Sequence, residues 1–354
     1  MAAIPNYIRR ITGLLFCLLV LLNLYGLPRA SAGLISTQQE ISLGANVAKQ
    51  LESKYGLVDD PELAERVARI GARLVTVADR QDLKYSFKVL NAKEVNALAA
   101  PGGFIYIFKG LVDYMPSDDE LAAVLGHELG HIDKRHSVKQ IEKSWTVQLL
   151  FGLAFGDRGQ VLQNLAMNAI MSGYSRKEEQ EADLQGFKHI REAGFNPYSM
   201  LITMNKLNDL ANKGSYGLFS THPDPGSRVE LVQKYMHSAK ITPLVTGDKQ
   251  AATVTDRNWN LPAFKASAGS ELPLYRAYRT AGALYLAAAK PDFANDRFVA
   301  NRTENEAVIY YGDEKIVTLS QQDVAGAGLT LEELTDEFLH KLREWSPSRG
   351  KNPG

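Results

Sequence analysis

Two histidines stand four residues apart in the stretch LAAVLGHELGHIDKRH, residues 121–136, and a glutamate directly follows the first of them. On an α-helix, positions i and i+4 lie one above the other, so His127 and His131 would present two imidazoles on one face. Two such imidazoles can bind one zinc ion, and Glu128 could then take a proton from a water molecule activated by that ion. The stretch predicts a metal-dependent hydrolase. A solvated helix with two surface histidines is the alternative.

Two glycines in the same stretch bear on that alternative. Gly126 and Gly130 lie one helical turn apart, and each costs a helix about 1 kcal/mol relative to alanine. Small residues at this spacing indicate close packing of the helix against another element. The glycines therefore disfavour a free surface helix.

A catalytic zinc site needs a third protein ligand and one open position. The metzincin extension would require a glycine at position 134 and a histidine at position 137, but the chain has Lys134 and Ser137 there, so that class is excluded. The single cysteine, Cys17, lies in an N-terminal apolar run, so no thiolate ligand follows downstream. A carboxylate is the expected third ligand.

The segment SRKEEQEADLQGF, residues 175–187, offers four carboxylates on a predicted helix. Glu179 and Asp183 share one helical face, whereas Glu178 and Glu181 lie with lysines on the outer side. Buried carboxylates need a partner, so Glu179 is a candidate metal ligand and Asp183 a candidate hydrogen-bond partner for a ligand imidazole. An exposed acidic run balanced by its basic neighbours is equally compatible with the helical phase.

The segments around these motifs predict a mainly helical domain with a small sheet. Ser117 and Glu120 form a capping box that starts the helix of the two histidines. The runs LKYSFKVLN and FIYIF predict strands. Caps and amphipathic patterns predict further helices over residues 36–55, 61–80, 177–193, 197–212 and 228–239.

The strand that begins after the Pro-Gly-Gly turn is the expected substrate site. We expect Gly103, Phe104, Ile105 and Tyr106 to lie on an edge strand, to which an extended peptide adds by backbone hydrogen bonds. That mode of binding reads the backbone more than the side chains. It would suit a protease that acts on unfolded chains.

The C-terminal part of the chain predicts a small α+β module over residues 273–345. GALYLAAAK, RFVANRT and AVIYYGDEKIVTL are interpreted as strands, and LTLEELTDEFLHKLREW as an amphipathic helix capped by Thr330. Periodicity fades over residues 243–272, where Pro, Gly, Ser and Thr accumulate, so we place a linker there. Residues 346–354 are expected to be a disordered tail. The complete chain is predicted to have an α+β fold.

The N-terminus predicts export. Arg9 and Arg10 precede an apolar run over residues 11–27, and the small residues up to Ala32 fit the rule for signal peptidase. We expect residues 1–32 to be a cleaved signal peptide and the mature protein to be periplasmic. An uncleaved anchor is the alternative, because the run is near the lower length limit for a spanning helix.

Bulk composition excludes some classes of function. The 354 residues suffice for two ordinary domains, and 45% of them are hydrophobic, as in globular proteins. Forty basic residues balance forty acidic ones, so neither a nucleic-acid-binding surface nor an acidic disordered tail is expected.

Three motifs together resemble one protease family. HELGH, then YSRKEEQEAD at residues 174–183, then THPDPGSR at residues 221–228, is similar to the zinc metallopeptidase (gluzincin) family of the CAAX prenyl proteases. That family also includes HtpX-type heat-shock proteases and soluble periplasmic proteases of the BepA and LoiP type, which the chain resembles most. The resemblance covers residues 36–239 and implies a zincin-type peptidase domain, which we place at residues 33–242.

The resemblance also implies roles for particular residues. It implies one zinc ion per chain, held by His127, His131 and Glu179. It implies that His222 and Arg228 lie near the cleft, where they stabilise the oxyanion and hold substrate. In BepA-like relatives this histidine can also sit on the zinc and block water. The residues alone are compatible with these roles, but they favour purely local contacts of a turn histidine and a helix-start arginine.

Together these inferences predict an exported zinc endopeptidase that hydrolyses unfolded or misassembled envelope proteins, with Glu128 as general base. The competing hypothesis is a periplasmic chaperone or scaffold whose zinc site is structural or capped by His222. The partner of the C-terminal module is not predicted, since the module shows no helical repeat. The remaining histidines show no ligand spacing and are interpreted as surface or interface residues: His136, His189, His237 and His340.

Overall fold

The structure is a computed structural model that describes residues 34–150, 158–212, 222, 225–269, 271–325 and 328–347. The predicted signal peptide and most of the predicted tail lie outside the described residues. Within the described ranges, no helix combines the length and the apolar character that crossing a bilayer requires.

Capping signals in the sequence mark the starts of about half of the helices. The helices are α1 (Thr37–Tyr55), α2 (Pro61–Val75), α3 (Lys109–Tyr114), α4 (Asp118–Asp133), α5 (His136–Leu150), α6 (Arg158–Met171), α7 (Arg176–Glu192), α8 (Ser199–Asn212), α9 (Pro225–Ser238), α10 (Pro273–Ala288), α11 (Gln321–Val324) and α12 (Leu331–Glu344). Capping boxes precede α1, α4, α7 and α12. Helix α2 ends at Val75 and not near Arg80, whose guanidinium instead binds Glu40 on α1.

The strands form three small sheets of three strands each among the described residues. They are β1 (Ser86–Leu90), β2 (Ala97–Ala100), β3 (Phe104–Phe108), β4 (Leu244–Gly247), β5 (Ala252–Asp256), β6 (Trp259–Asn260), β7 (Phe298–Arg302), β8 (Glu306–Tyr311) and β9 (Glu314–Ser320). The first sheet belongs to the peptidase part of the chain, and the other two belong to the C-terminal part.

Strand β3 is the central strand of the first sheet, so its prediction as an edge strand is wrong. β1 pairs with it in parallel and β2 pairs with it antiparallel, in the order β1-β3-β2. Both sides of β3 are already hydrogen-bonded, so an extended peptide cannot add to Gly103, Phe104, Ile105 or Tyr106. The order of strands depends on pairing between segments that are distant in sequence, which the local pattern does not record.

Helices cover both faces of this sheet. Ile105 and Ile107 of β3 point into a core shared with α2, α4 and α8, whereas Tyr106 and Phe108 point into a second core with α1 and α6. The apolar run FIYIF is therefore buried on both faces, as the side-chain alternation of a strand in a layered fold requires.

Helices α4 and α7 pack with their backbones in close approach. A Cβ added at Gly130 would lie 2.8 Å from the carbonyl oxygen of Ala182, and one added at Gly186 would lie 2.9 Å from the backbone nitrogen of His127. The prediction that small residues on α4 mark tight packing is confirmed. This contact sets the distance between the two helices that carry the site.

Two interpretations of the C-terminal part are wrong. The segment interpreted as a linker contains the sheet β4-β5-β6, and its residues Ala252 and Val254 are buried in the core. The run GALYLAAAK lies mostly on helix α10, and does not form a strand. Short apolar runs fit both periods, and Pro273 at the first turn with several alanines favours a helix there.

The C-terminal part packs onto the peptidase part through α10. Tyr278 of α10 stacks on Tyr198 with ring centroids 5.5 Å apart, and Arg279 reaches Glu120 in the capping box of α4 with a nitrogen–oxygen distance of 3.0 Å. Buried side chains from both parts belong to one continuous core. The C-terminal part therefore contacts and supports the first turn of α4, the helix that carries HELGH.

Candidate active site

Two capped helices position the polar residues of the site. On α4, His127, Glu128 and His131 are all buried, and on α7 Glu179 and Asp183 are buried as well. Their burial excludes the solvated-helix alternative for α4 and the exposed acidic run for this face of α7. Buried charge of this density needs compensation, which points to a shared partner.

Nitrogen and oxygen atoms of four side chains converge on one point between the helices. His127 Nε2 lies 3.1 Å from His131 Nε2, and each of these nitrogens lies 3.5 Å from an oxygen of Glu179. The fourth group is His222, whose Nδ1 lies 3.3 Å from His127 Nε2 and 2.9 Å from Glu179 Oε1. All four candidate ligand atoms lie within 4.8 Å of one another.

The spacing of these atoms fits a single metal ion. Ligand bonds of 2.0–2.1 Å in a tetrahedral site place neighbouring ligand atoms about 3.3 Å apart. Five contacts among these side chains span 2.9 to 3.5 Å, and the four ligand atoms all lie within 4.8 Å of one another. Imidazole nitrogens and a carboxylate oxygen are also the donor set that zinc accepts.

The carboxylate of Asp183 orients the imidazole of His127, and Arg228 holds this carboxylate in place by hydrogen bonds. Asp183 Oδ1 lies 2.9 Å from His127 Nδ1, so that nitrogen donates to the carboxylate and Nε2 is left free to bind an ion. Arg228 on α9 donates two hydrogen bonds to Asp183, at 2.8 and 2.7 Å, and also lies 3.0 Å from Glu179 Oε2. Arg228 therefore places one positive charge between the two buried carboxylates of α7.

The electrostatics favour ionised carboxylates and a neutral ligand imidazole. Although burial opposes it, His222 and Arg228 lower the pKa of Glu179 to about 2. Burial, together with the neighbouring imidazoles and Arg228, lowers the pKa of His131 well below its ordinary value. Burial would also lower the pKa of His222, but Glu179 and Glu128 raise it. Metal ligands must be deprotonated, so Glu179 and His131 are suited to that role.

One oxygen of the Glu128 carboxylate lies near His222, and the other is buried without a hydrogen-bond partner among the described residues. Its Oε1 lies 3.4 Å from His222 Nε2, whereas its Oε2 is buried and accepts no hydrogen bond from the residues that the structure describes. Burial raises the pKa of Glu128 above its ordinary value. A buried carboxylate oxygen without a donor indicates a place for a proton-bearing ligand, such as a water molecule.

The structure thus brings together most of the predicted site residues and leaves out one group. It joins all seven predicted residues of the metal, catalytic and hydrogen-bonding sets: His127, Glu128, His131, Glu179, Asp183, His222 and Arg228. Of the four predicted substrate residues, Gly103 lies in the turn before the central strand, and the other three lie on that strand, where Tyr106 donates from its hydroxyl to Glu52 on α1.

Two histidines that were interpreted as surface or interface residues are buried. His136 lies against His131, with 2.9 Å between their Nδ1 atoms, and Glu181 binds its other nitrogen at 3.2 Å. His189 lies 2.9 Å from Asp133 Oδ2 and connects α7 to the end of α4. Neither residue has ligand spacing in the sequence, so their positions follow from the packing of α5 and α7 against α4.

Comparisons with known proteins agree with this geometry. The chain matches peptidase family M48 over residues 61–236 and a domain of unknown function, DUF8459, over residues 253–345. The beta-barrel assembly-enhancing protease of Escherichia coli (strain K12) is 30% identical over 210 residues, which cover 55% of this chain and 43% of that protein. The chain thus spans less than half the length of this relative.

Shorter relatives are matched over more of their length. Metalloprotease LoiP of Escherichia coli (strain K12) is 29% identical over 210 residues, which cover 57% of this chain and 82% of that protein. The mitochondrial metalloendopeptidase OMA1 of Schizosaccharomyces pombe is 28% identical over 217 residues, with coverage of 58% and 64%. The chain thus contains a domain of peptidase family M48 at residues 61–236, whose buried histidines and carboxylates form the cluster above.

Proposed function

We propose that this protein is a periplasmic zinc-dependent endopeptidase that hydrolyses peptide bonds of unfolded or misassembled envelope proteins. The observation that carries the proposal is the convergence of His127, His131 and Glu179, together with the buried Glu128, one oxygen of which has no hydrogen-bond partner among the described residues. The names of the relatives support the substrate class, since they include a beta-barrel assembly-enhancing protease and the metalloprotease LoiP. The predicted signal peptide supports the location.

In this proposal His127, His131 and Glu179 hold one zinc ion. When bound, the ion would supply a Lewis acid that acidifies a water molecule and polarises the scissile carbonyl group. Glu128 takes a proton from the attacking water and later transfers it to the leaving amine. Burial raises the pKa of Glu128, which favours uptake of the proton from the attacking water.

Arg228 and His222 serve the oxyanion in this proposal. Two of the five N–H groups of the Arg228 guanidinium donate to Asp183, and Nη1 lies 3.0 Å from Glu179 Oε2, so N–H groups remain that can donate to the substrate. The ring of His222, which lies beside Glu179 and Glu128, can donate an N–H as well. Donors fixed in a buried site stabilise developing negative charge more than solvated donors do.

Glu128→Gln tests the proposal. The variant should retain zinc and lose hydrolysis of denatured casein by about 10²- to 10⁴-fold, because it removes the base while all three ligands stay in place. The exposed His340→Gln serves as the control and should cleave like the parent. Cleavage by Glu128→Gln at the rate of the parent would refute this mechanism.

A second candidate follows from His222. Its Nδ1 is close enough to the other three ligand atoms to be a fourth ligand, and four protein ligands would close the site, as in structural zinc sites. The protein would then act as a periplasmic chaperone or scaffold. Casein cleavage by the parent or by His222→Ala, abolished by a chelator, would exclude this candidate. Absence of cleavage in both would favour it.

A further inference from the structure

The end of α4 turns sharply and returns the chain to the metal cluster. Helix α4 ends at Asp133, and Arg135 adopts the left-handed conformation with φ of 55° before α5 begins at His136. The guanidinium of Arg135 anchors this turn by donating to Glu40 at 3.1 Å and to the carbonyl oxygen of Ile35 at 2.7 Å. The turn places the ring of His136 against that of His131.

His136 is fully buried and makes one contact with each of its ring nitrogens. Its Nδ1 lies 2.9 Å from His131 Nδ1, and its Nε2 lies 3.2 Å from Glu181 Oε2. Glu181 is 38% exposed, so this chain of contacts runs from the surface of α7 to the buried cluster. Tyr174 stacks on the His131 ring with centroids 3.9 Å apart and donates to or accepts from Ser137 at 2.8 Å, which fixes the plane of that ring.

Hydrogen-bond chemistry allows one assignment of protons along this chain when His131 Nε2 is a ligand. His131 must then carry its proton on Nδ1 and donate it to His136 Nδ1, which must accept. His136 consequently carries its own proton on Nε2, facing an acceptor-only carboxylate oxygen of Glu181. Every contact has one donor and one acceptor in this arrangement, so the carboxylate sets the tautomer of both rings.

We propose that His136 and Glu181 are positioning residues that hold His131 in the orientation and tautomer required to bind the metal. The inference rests on the proposed function, because it concerns the same zinc site. His127 receives the corresponding support directly from Asp183 at 2.9 Å. The two ligand imidazoles of α4 thus have different hydrogen-bond partners. The buried carboxylate of Asp183 orients His127, whereas His131 is oriented by His136, which in turn contacts the partly exposed carboxylate of Glu181.

Three substitutions at position 136 separate this role from simple packing. In His136→Asn the amide oxygen stands at the place of Nδ1 and can still accept from His131. In His136→Gln the amide group reaches toward Glu181 instead, and His136→Ala supplies neither group. Zinc affinity is measured for each full-length variant by competition with a chromophoric chelator, and the stability of the metal-free protein is measured by urea unfolding.

The zinc affinities of the variants should follow an order that a loss of side-chain packing alone would not produce. His136→Ala and His136→Gln should weaken zinc binding by about 10- to 100-fold, the usual effect of losing a hydrogen-bond partner of a metal ligand. His136→Asn should remain within about threefold of the parent, and Glu181→Ala should lose about threefold to tenfold, because His131 keeps its acceptor. In the cobalt-substituted protein, the visible absorption bands of His136→Asn should match those of the parent.

Other outcomes overturn the inference. It is wrong if His136→Ala binds zinc as tightly as the parent, or if His136→Asn is as weak as His136→Gln at equal metal-free stability. Both results leave the proposed function intact when the parent itself binds zinc and cleaves casein. A parent protein that binds no zinc overturns the proposed function and this inference together.

Discussion

Gly186→Ala should move α7 away from α4 and loosen the metal site. The new Cβ would lie 2.9 Å from the backbone nitrogen of His127 and 3.0 Å from its Cα atom. Backbone atoms cannot rotate away, and carbon atoms in contact prefer separations of about 3.5 Å or more, so the helices must separate by about 0.5 Å. The same shift stretches the 2.9 Å contact between Asp183 and His127.

The energetic terms in this substitution partly cancel. Alanine is favoured over glycine within a helix by about 1 kcal/mol. Overpacking costs about 1–3 kcal/mol, so the free energy of unfolding should fall by only about 0–2 kcal/mol. Metal-site geometry tolerates deviations of about 0.2 Å, however, so zinc affinity should fall by roughly tenfold or more although the fold survives.

Gly126→Ala is the matched control, because it places the same methyl group in the same helix–helix contact. Its Cβ would lie 3.3 Å from the carbonyl oxygen of Gly186 and 3.3 Å from a methyl group of Ile190, which can give way. Urea unfolding, chelator competition and casein cleavage should be measured on both variants. If Gly186→Ala binds zinc as tightly as Gly126→Ala, the helix contact does not set the geometry of the site.

Three further predictions concern the C-terminal part. Arg279→Gln should lower the free energy of unfolding by about 1–2 kcal/mol in urea titrations, because buried Glu120 loses one of its two cations and keeps Lys206. Although burial opposes it, Arg279 and Lys206 lower the pKa of Glu120 in the folded protein. The ionised Glu120 therefore stabilises the fold at a pH above the pKa that it has in the unfolded chain, and this stabilisation is lost as the pH falls through its pKa in the folded chain. Unfolding free energies measured between about pH 6 and 3 should therefore decline less steeply in Arg279→Gln than in the parent, and equal slopes would contradict this account. Trp345→Ala should cost about 3–5 kcal/mol in the same urea assay, since this buried indole fills the core and donates to Asp256, and a loss below about 1 kcal/mol would show that the module contributes little.

The sequence by itself determined the chemical identity of the site. The spacing of His127 and His131 and the helical phase of Glu179 and Asp183 are local properties, because a helix places residues i and i+4 on one face wherever it forms. Capping boxes such as Ser117 with Glu120 located the helix starts for the same reason. The resemblance to a protease family then added His222 and Arg228, which the local pattern does not distinguish from ordinary turn and helix residues.

Only the tertiary structure decided features that depend on which elements meet. The central place of β3 follows from its pairing with β1 on one side and β2 on the other, and no local alternation records that order. The run GALYLAAAK by itself fits both helix and strand periods, and only its place within α10, which begins at Pro273, showed that it is helical.

The support of His131 shows the same division at the level of single residues. His136 follows His131 by five residues, a spacing that does not place two side chains on one face of a helix. The left-handed residue of the turn between them is Arg135 and not a glycine, so the sequence does not indicate the turn. That turn depends on Arg135 finding Glu40 and Ile35, which are distant in the sequence. The sequence determines which groups can bind a metal because that is local chemistry, whereas the groups that hold them in place are selected by contacts that exist only in the folded chain.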